Sequence, residues 1–196
     1  MIAVRVTLIA AAPTGGQRRT EFPADEPLDA AGARQARRSA LRIKGHERVL
    51  MGPTVAARQT AELLGLQGTI VPALADCDYG RWARVPFATI AATEPEAIAA
   101  WLADDMAAPH GGESHRQLKE RVGDFLDHVG TTLAGHTVVV TQPAVVRAAI
   151  VHAIAGTAHS FWRIDIAPLS QTMLTRSNDQ WRLRAITPAG GQEVES

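Results

Sequence analysis

"HTVVVTQPAVVRAAIVHAIAG" occupies residues 136–156. From Thr137 to Thr141 the run is β-branched with no polar alternation, the pattern of a strand covered on both faces in the middle of a parallel sheet. Ala144 to Gly156 then leaves that strand as a helix. A strand feeding straight into a helix is the repeating unit of an α/β domain, and the neighbouring segments repeat it.

Upstream, Ser114 and Gln117 form a capping box at the head of a helix whose Leu118, Val122, Phe125, Leu126, Val129 and Leu133 fall on one face. "EPEAIAAWLADD" (94–105) opens another helix with Pro95 in its first turn. Before it, "TIVPALADCDYGRWARVPFATI" (69–90) mixes a short strand with an irregular segment, and a long loop is expected there. "TVAARQTAELLG" (54–65) reads as a helix with Val55, Ala57, Ala61 and Leu64 on its buried side and Gly65 as its stop, following the strand "ERVLMG" (47–52). "PLDAAGARQARRSALRI" (27–43) predicts a helix capped by Asp29 and running to about Ile43.

The chain opens with a strand in which Ile2, Val4, Val6 and Leu8 alternate. After Ala10 to Ala12, Pro13, Gly15 and Gly16 break it into a loop followed by Arg18 and Arg19. At the other end, "QTMLTRSNDQWRLRAIT" (171–187) predicts a hairpin turning near Ser177 to Asp179. The expected architecture is α/β, a single-domain three-layer sandwich over residues 1–196 with a mostly parallel central sheet flanked by helices. In such folds chemistry sits beyond the C-terminal ends of the strands, here Ala10 to Thr14 and Thr141 to Ala144.

Twenty basic and twenty acidic side chains cancel to zero net charge, so no global field draws in nucleic acid or an anionic membrane. The expected partner is a small-molecule ligand, with neither nucleic acid nor membrane; the mixed surface permits a homodimer. Cys77 is the only cysteine, which excludes an intrachain disulfide and fits a cytoplasmic location. Arg5 with the apolar run after it imitates a short secretory leader, but the run is at the lower length limit and its alternation fits a strand. No apolar stretch approaches the roughly 20 residues needed to span a bilayer.

Taken in order, six stretches resemble the histidine phosphatase superfamily, also called the phosphoglycerate mutase-like fold. Leu8 to Thr14 stands where members carry Leu-x-Arg-His-Gly-x-Thr. Pro27, Leu28, Gly32, Gln35 and Ala36 follow a second family pattern. Gly52, Pro53, Ala56, Ala57, Gln59, Thr60 and Ala61 follow a third, in which members carry Ser-Pro and Arg-Ala-x-Gln-Thr-Ala. "LADCDYGRW" (74–82) is similar to Leu-x-Glu-x-x-Phe-Gly-x-Trp, "GGES" (111–114) to the Gly-Glu-Ser loop, and "VVVTQPAVVR" (138–147) to the strand ending Ser-His-Gly-Gly-x-x-Arg.

The resemblance implies a phosphoryl-transfer ancestry in which one histidine attacks phosphorus, two arginines and a second histidine clamp its oxygens, and a carboxylic acid protonates the leaving oxygen. It puts Ala11 at the nucleophile's position, Ala10 and Ala56 at the arginines', and Gln142 at the second histidine's, with the acid kept as Glu113. A degenerate member is therefore expected: a methyl group has no lone pair to attack with, and no neighbouring base can supply one.

Glu113 is the candidate acid or base; the alternative is a solvated loop carboxylate beside a helix N-terminus. The resemblance implies that Asp76, Asp78 and Tyr79 overhang the same pocket. Thr14, Arg18, Arg19, Trp82, Gln142 and Arg147 are further candidates for ligand contact, as are Arg58, Arg81 and Arg84. His110 and His115 flank Glu113 but match no zinc spacing, and no metal or cofactor is expected. His152 and His159 read as structural, Ser114 and Ser170 lack a triad, and Trp101 is a core anchor or a pocket wall.

Three functions remain open at this level. The pocket is repurposed for a small organic molecule, with Glu113 as acid or base and Gln142 orienting the ligand. Alternatively the fold is kept as a noncatalytic interaction surface, a pseudophosphatase, or the chain is a phosphatase or mutase whose histidines have been substituted.

Overall fold

The structure, a computed structural model, describes residues 4–39 and 45–189. Ile2 and the expected helix end from Ala40 to Ile43 lie outside the described residues. Along the chain come β1 (Val4–Ala10), α1 (Gly15–Arg18), α2 (Ala30–Arg38), β2 (Arg48–Met51), α3 (Val55–Leu63) and β3 (Thr69–Ile70). Next are α4 (Phe87–Thr93), α5 (Pro95–Ala103), α6 (His115–Thr132), β4 (Gly135–Thr141), α7 (Pro143–Ala153) and α8 (Ala158–Phe161), and the chain closes with β5 (Gln171–Ser177) and β6 (Gln180–Thr187).

The strands form one sheet in the order β3-β2-β4-β1-β5-β6. β4 lies between β2 and β1, parallel to both, as its unbroken β-branched run predicts. β1 is likewise central, between β4 and β5. The register sets Ala10 opposite Thr141, so the two strand ends singled out in the sequence lie side by side. Beyond β1 the sheet turns antiparallel through β5 and β6, which are joined by Asn178 and Asp179 at φ 51° and 58°. Two consecutive left-handed residues match the twist of a two-residue hairpin, and Asn and Asp tolerate that region.

Alternation along the strands splits the core between two faces. Val6, Leu8 and Ala10 of β1 and Val139 of β4 join Val122 and Leu126 of α6 and Val145 and Ala149 of α7. Ile9, Val138 and Val140 point the other way, against Ala61 of α3, while Ala12, Ala36 and Leu169 close a third cluster beneath α2. Each buried Val or Leu contributes about 1.5–3 kcal/mol. The helices that hold this packing start where expected: Asp29 accepts from Gly32 N at 2.6 Å, and the Ser114–Gln117 capping box is complete.

Two expectations need correction. The loop expected over 69–90 contains α4 and two short 3-10 turns, Pro72–Leu74 and Gly80–Trp82. Val85, Phe87 and Ile90 are too few to show a period, and only their packing makes the segment helical. In α3 the fully buried residues are Ala56, Ala57, Thr60 and Ala61, while Val55 and Leu64 are half-buried. Small side chains let this helix sit close on the sheet, so size rather than hydrophobicity marks its inner face.

Candidate functional site

The strand ends carry a cavity of about 410 Å³. Thr14 and Gln17 enter it from α1 and its cap, Thr20 to Ala24 from the following loop, and Asp76 and Tyr79 from the segment between the 3-10 turns. Gln142, Pro143, Ala144 and Arg147 line it from the start of α7, and Phe87, Trp101 and Trp162 complete the wall. Of the sequence-predicted site residues, the structure therefore brings together Thr14, Asp76, Tyr79, Gln142 and Arg147.

Others lie elsewhere. Ala10, Ala11 and Ala56 are sealed in the core and do not line the cavity. Neighbouring amides are already paired: Ala11 N donates to Thr141 O at 2.8 Å, and Ala12 N donates to the Thr60 hydroxyl at 3.0 Å. Arg18 is paired with Asp29 at 2.5 Å and Arg19 with Glu21 at 2.6 Å, and neither arginine lines the cavity. Trp82 is completely buried behind Phe22 and Trp101, and Asp78 accepts from Gly80 N at 2.8 Å outside the cavity. Arg81 is held by Glu94, and Arg84 donates to Asp25 O at 3.2 Å.

Glu113 also lies outside. It sits in a separate shallow groove with Asp78, Gln117 and Arg121. Arg121 grips both carboxylate oxygens, Nε to Oε1 at 2.8 Å and Nη2 to Oε2 at 2.7 Å, and also donates to the carbonyls of Ala73 and Ala75. Arg121 thus links the Glu113 carboxylate to the 3-10 turn before Asp76. Arg121 was missed in the sequence because a polar-face arginine on a long helix carries no local signal of its partner.

Asp76 borders both the groove and the cavity. Its carboxylate accepts from Cys77 N at 2.9 Å, and desolvation pushes its pKa up to about 7 against the lowering effect of that bond and of Arg121. A carboxyl group titrating near neutrality is suited to give or take a proton. Burial likewise raises the Tyr79 phenol well above its ordinary range, so it stays a neutral hydroxyl. Arg147 donates Nε to Ile164 O at 2.8 Å and lies over the Phe161 ring at 5.0 Å; burial lowers its pKa, opposed by Tyr79 and Asp165. Gln142 donates Nε2 to Thr54 Oγ1 at 2.9 Å and does not cap α7, which leaves that helix start without a side-chain cap at the cavity lip.

All the Phe, Tyr and Trp residues except Phe125 and Trp181 join one ring-to-ring cluster, of which Phe22, Tyr79, Phe87, Trp101 and Trp162 line the cavity. His110 and His115 belong to that cluster. His110 Nδ1 accepts from Gly112 N at 3.0 Å and its ring stands across Trp82 at 5.1 Å. His115 lies among Trp101, Phe161 and Trp162 at 4.6 to 4.9 Å, and desolvation lowers its pKa to about 4. Among the described residues no group of three or more His, Cys, Asp or Glu is placed to hold a metal ion. The same residues include no helix long and apolar enough to cross a membrane. His152 pairs with Asp127 at 3.3 Å, and Ser170 donates to Ala167 O at 2.7 Å. Phe22, Phe87 and Trp162 were not foreseen as cavity walls; their segments are far apart in sequence and share no period.

Comparison with known proteins agrees with this geometry at the level of fold. The chain is similar to the crystal structure of the alpha-ribazole phosphatase from Shigella flexneri, with a TM-score of 0.84 and 22% identity over 98% of this chain and 100% of that one. Mycobacterial glucosyl-3-phosphoglycerate phosphatase Rv2419c in complex with VO3 gives a TM-score of 0.82 and 22% identity over 92% of this chain and 96% of that one. The bifunctional protein Rv2228c of Mycobacterium tuberculosis is 31% identical over 133 residues, 64% of this chain. This chain spans about a third of the length of the curated relatives it matches, 36% in each case. The family model described as histidine phosphatase superfamily (branch 1) matches residues 12–188, and this protein belongs to that superfamily.

Proposed function

We propose that the protein binds or converts a small organic molecule in the strand-end cavity and does so without a phosphohistidine. The observation that carries this reading is the Ala11 methyl, buried in the core where the family resemblance assigns the attacking imidazole. A phosphate monoester brings nearly two charges whose desolvation must be offset. Ala10 and Ala56 offer no cations, and Arg18 and Arg19 are committed to Asp29 and Glu21. Aromatic walls and a volume in the usual range for small-ligand sites favour an organic body instead.

Asp76 replaces Glu113 as acid or base in this reading. It borders the cavity and titrates near neutrality, whereas Glu113 is locked to Arg121. The test is a ligand screen by native mass spectrometry, followed by Asp76→Asn and Glu113→Gln. Asp76→Asn should change the affinity or rate of any hit and abolish its titration near pH 7, while Glu113→Gln keeps that titration. The opposite pattern returns the role to Glu113.

A further inference from the structure

The charges in the cavity specify more than an organic body. Three ionisable side chains besides Tyr79 border it: Glu21, Asp76 and Arg147. Glu21 is already satisfied, since Arg19 holds its two oxygens at 2.6 and 3.0 Å. Asp76 and Arg147 are not. Neither makes an ion pair with another side chain among the described residues; the Asp76 carboxylate is held by a backbone amide and the Arg147 guanidinium by a backbone carbonyl. One cavity lining therefore holds an acid and a guanidinium, neither with a side-chain ion-pair partner, together with Phe22, Trp101 and Trp162, and the Tyr79 phenol interacts electrostatically with both.

Resting on the proposed function above, we infer that the ligand class is zwitterionic: an aromatic or bulky apolar α-amino acid or a close relative. Its carboxylate meets the planar guanidinium of Arg147, its ammonium meets Asp76, and its ring lies among the indoles. A planar carboxylate suits the fork of an arginine, and a charge-assisted bond in a desolvated cavity is stronger than a neutral one. Ammonium groups are also attracted to indole faces. A phosphate monoester would face one cation and the repulsion of Asp76.

Four probes share one ring and differ in charge: phenylalanine, 3-phenylpropionate, phenethylamine and phenyl phosphate. Binding is measured at pH 8 by calorimetry and by the fluorescence of the cavity tryptophans. Phenylalanine should bind about tenfold or more tighter than either singly charged probe, and phenyl phosphate most weakly. Asp76→Asn should remove the advantage of phenylalanine over 3-phenylpropionate, and should tighten 3-phenylpropionate by lifting the repulsion of its carboxylate. Arg147→Gln should bring it down to the level of phenethylamine; because Arg147 also holds the Ile164 carbonyl, the wild-type ranking and the Asp76→Asn result decide alone if that variant fails to fold. If a singly charged probe matches phenylalanine, or if none binds, the zwitterion assignment falls while the organic-ligand reading stands on its own screen. If phenyl phosphate binds tightest, both fall.

Discussion

Glu113 and Arg121 form a two-pronged ion pair at 2.8 and 2.7 Å, and the same guanidinium holds the carbonyls of Ala73 and Ala75. One side chain thus ties the loop before α6 to the 3-10 turn that leads into Asp76. Arg121→Ala leaves the Glu113 carboxylate and those carbonyls without their donor, and should destabilise the protein by about 2–3 kcal/mol in denaturant unfolding. Glu113→Gln keeps one acceptor and should have a smaller effect. A loss under about 0.5 kcal/mol for Arg121→Ala would contradict the stapling role.

Asp76 gives stability a pH dependence of unusual sign. Its folded pKa of about 7 lies above the unfolded 3.8, so between those values the folded state binds the extra proton, and stability falls as pH rises through the window. Asp76→Asn should therefore raise the melting temperature by several degrees at pH 8 and change it little at pH 4. Equal shifts at the two pH values would show that the carboxyl is not desolvated.

His115 acts in the opposite direction. Its folded pKa of about 4 lies below the unfolded 6.5, so the stability it supports is present above pH 6.5 and is lost as pH falls toward 4. Over that window the slopes from Asp76 and His115 oppose each other; above it only the Asp76 slope remains. His115→Phe should keep the aromatic packing and remove the acid-side loss, making thermal stability in acid higher than wild type. An unchanged acid limb in the melting curve against pH would exclude His115 as its source.

Gly52 lies under the same turn. A Cβ there would stand 2.6 Å from Leu74 O and 3.1 Å from Thr141 Oγ1, two atoms that are hydrogen-bonded to each other at 2.9 Å. Gly52→Ala should destabilise the fold by about 1–3 kcal/mol and weaken ligand binding by displacing the turn before Asp76. A neutral effect on both would mean that the turn yields freely.

The fold was legible wherever one residue type states its own environment. The Thr137–Thr141 run announces a two-face strand, and Ser114 with Gln117 announces a helix start. α4 was not, because its packing partners, not its period, make it helical. Of the residues read as candidates in the sequence, Thr14, Asp76, Tyr79, Gln142 and Arg147 meet at the strand-end cavity. The pairing of Arg121 with Glu113 was hidden, because it depends on a side chain reaching from α6 to one carboxylate and not the other. The aromatic wall was hidden for a similar reason: Phe22, Phe87 and Trp162 meet only in the folded chain.

The most direct measurement is intact-mass analysis of the protein after rapid-quench exposure to p-nitrophenyl phosphate, with p-nitrophenol release followed in parallel. On the proposed reading, which puts Ala11 at the nucleophile's position, no phosphoryl adduct and no release above the buffer rate are expected. An acid-labile phosphoryl adduct that forms and decays at the rate of turnover would contradict the account.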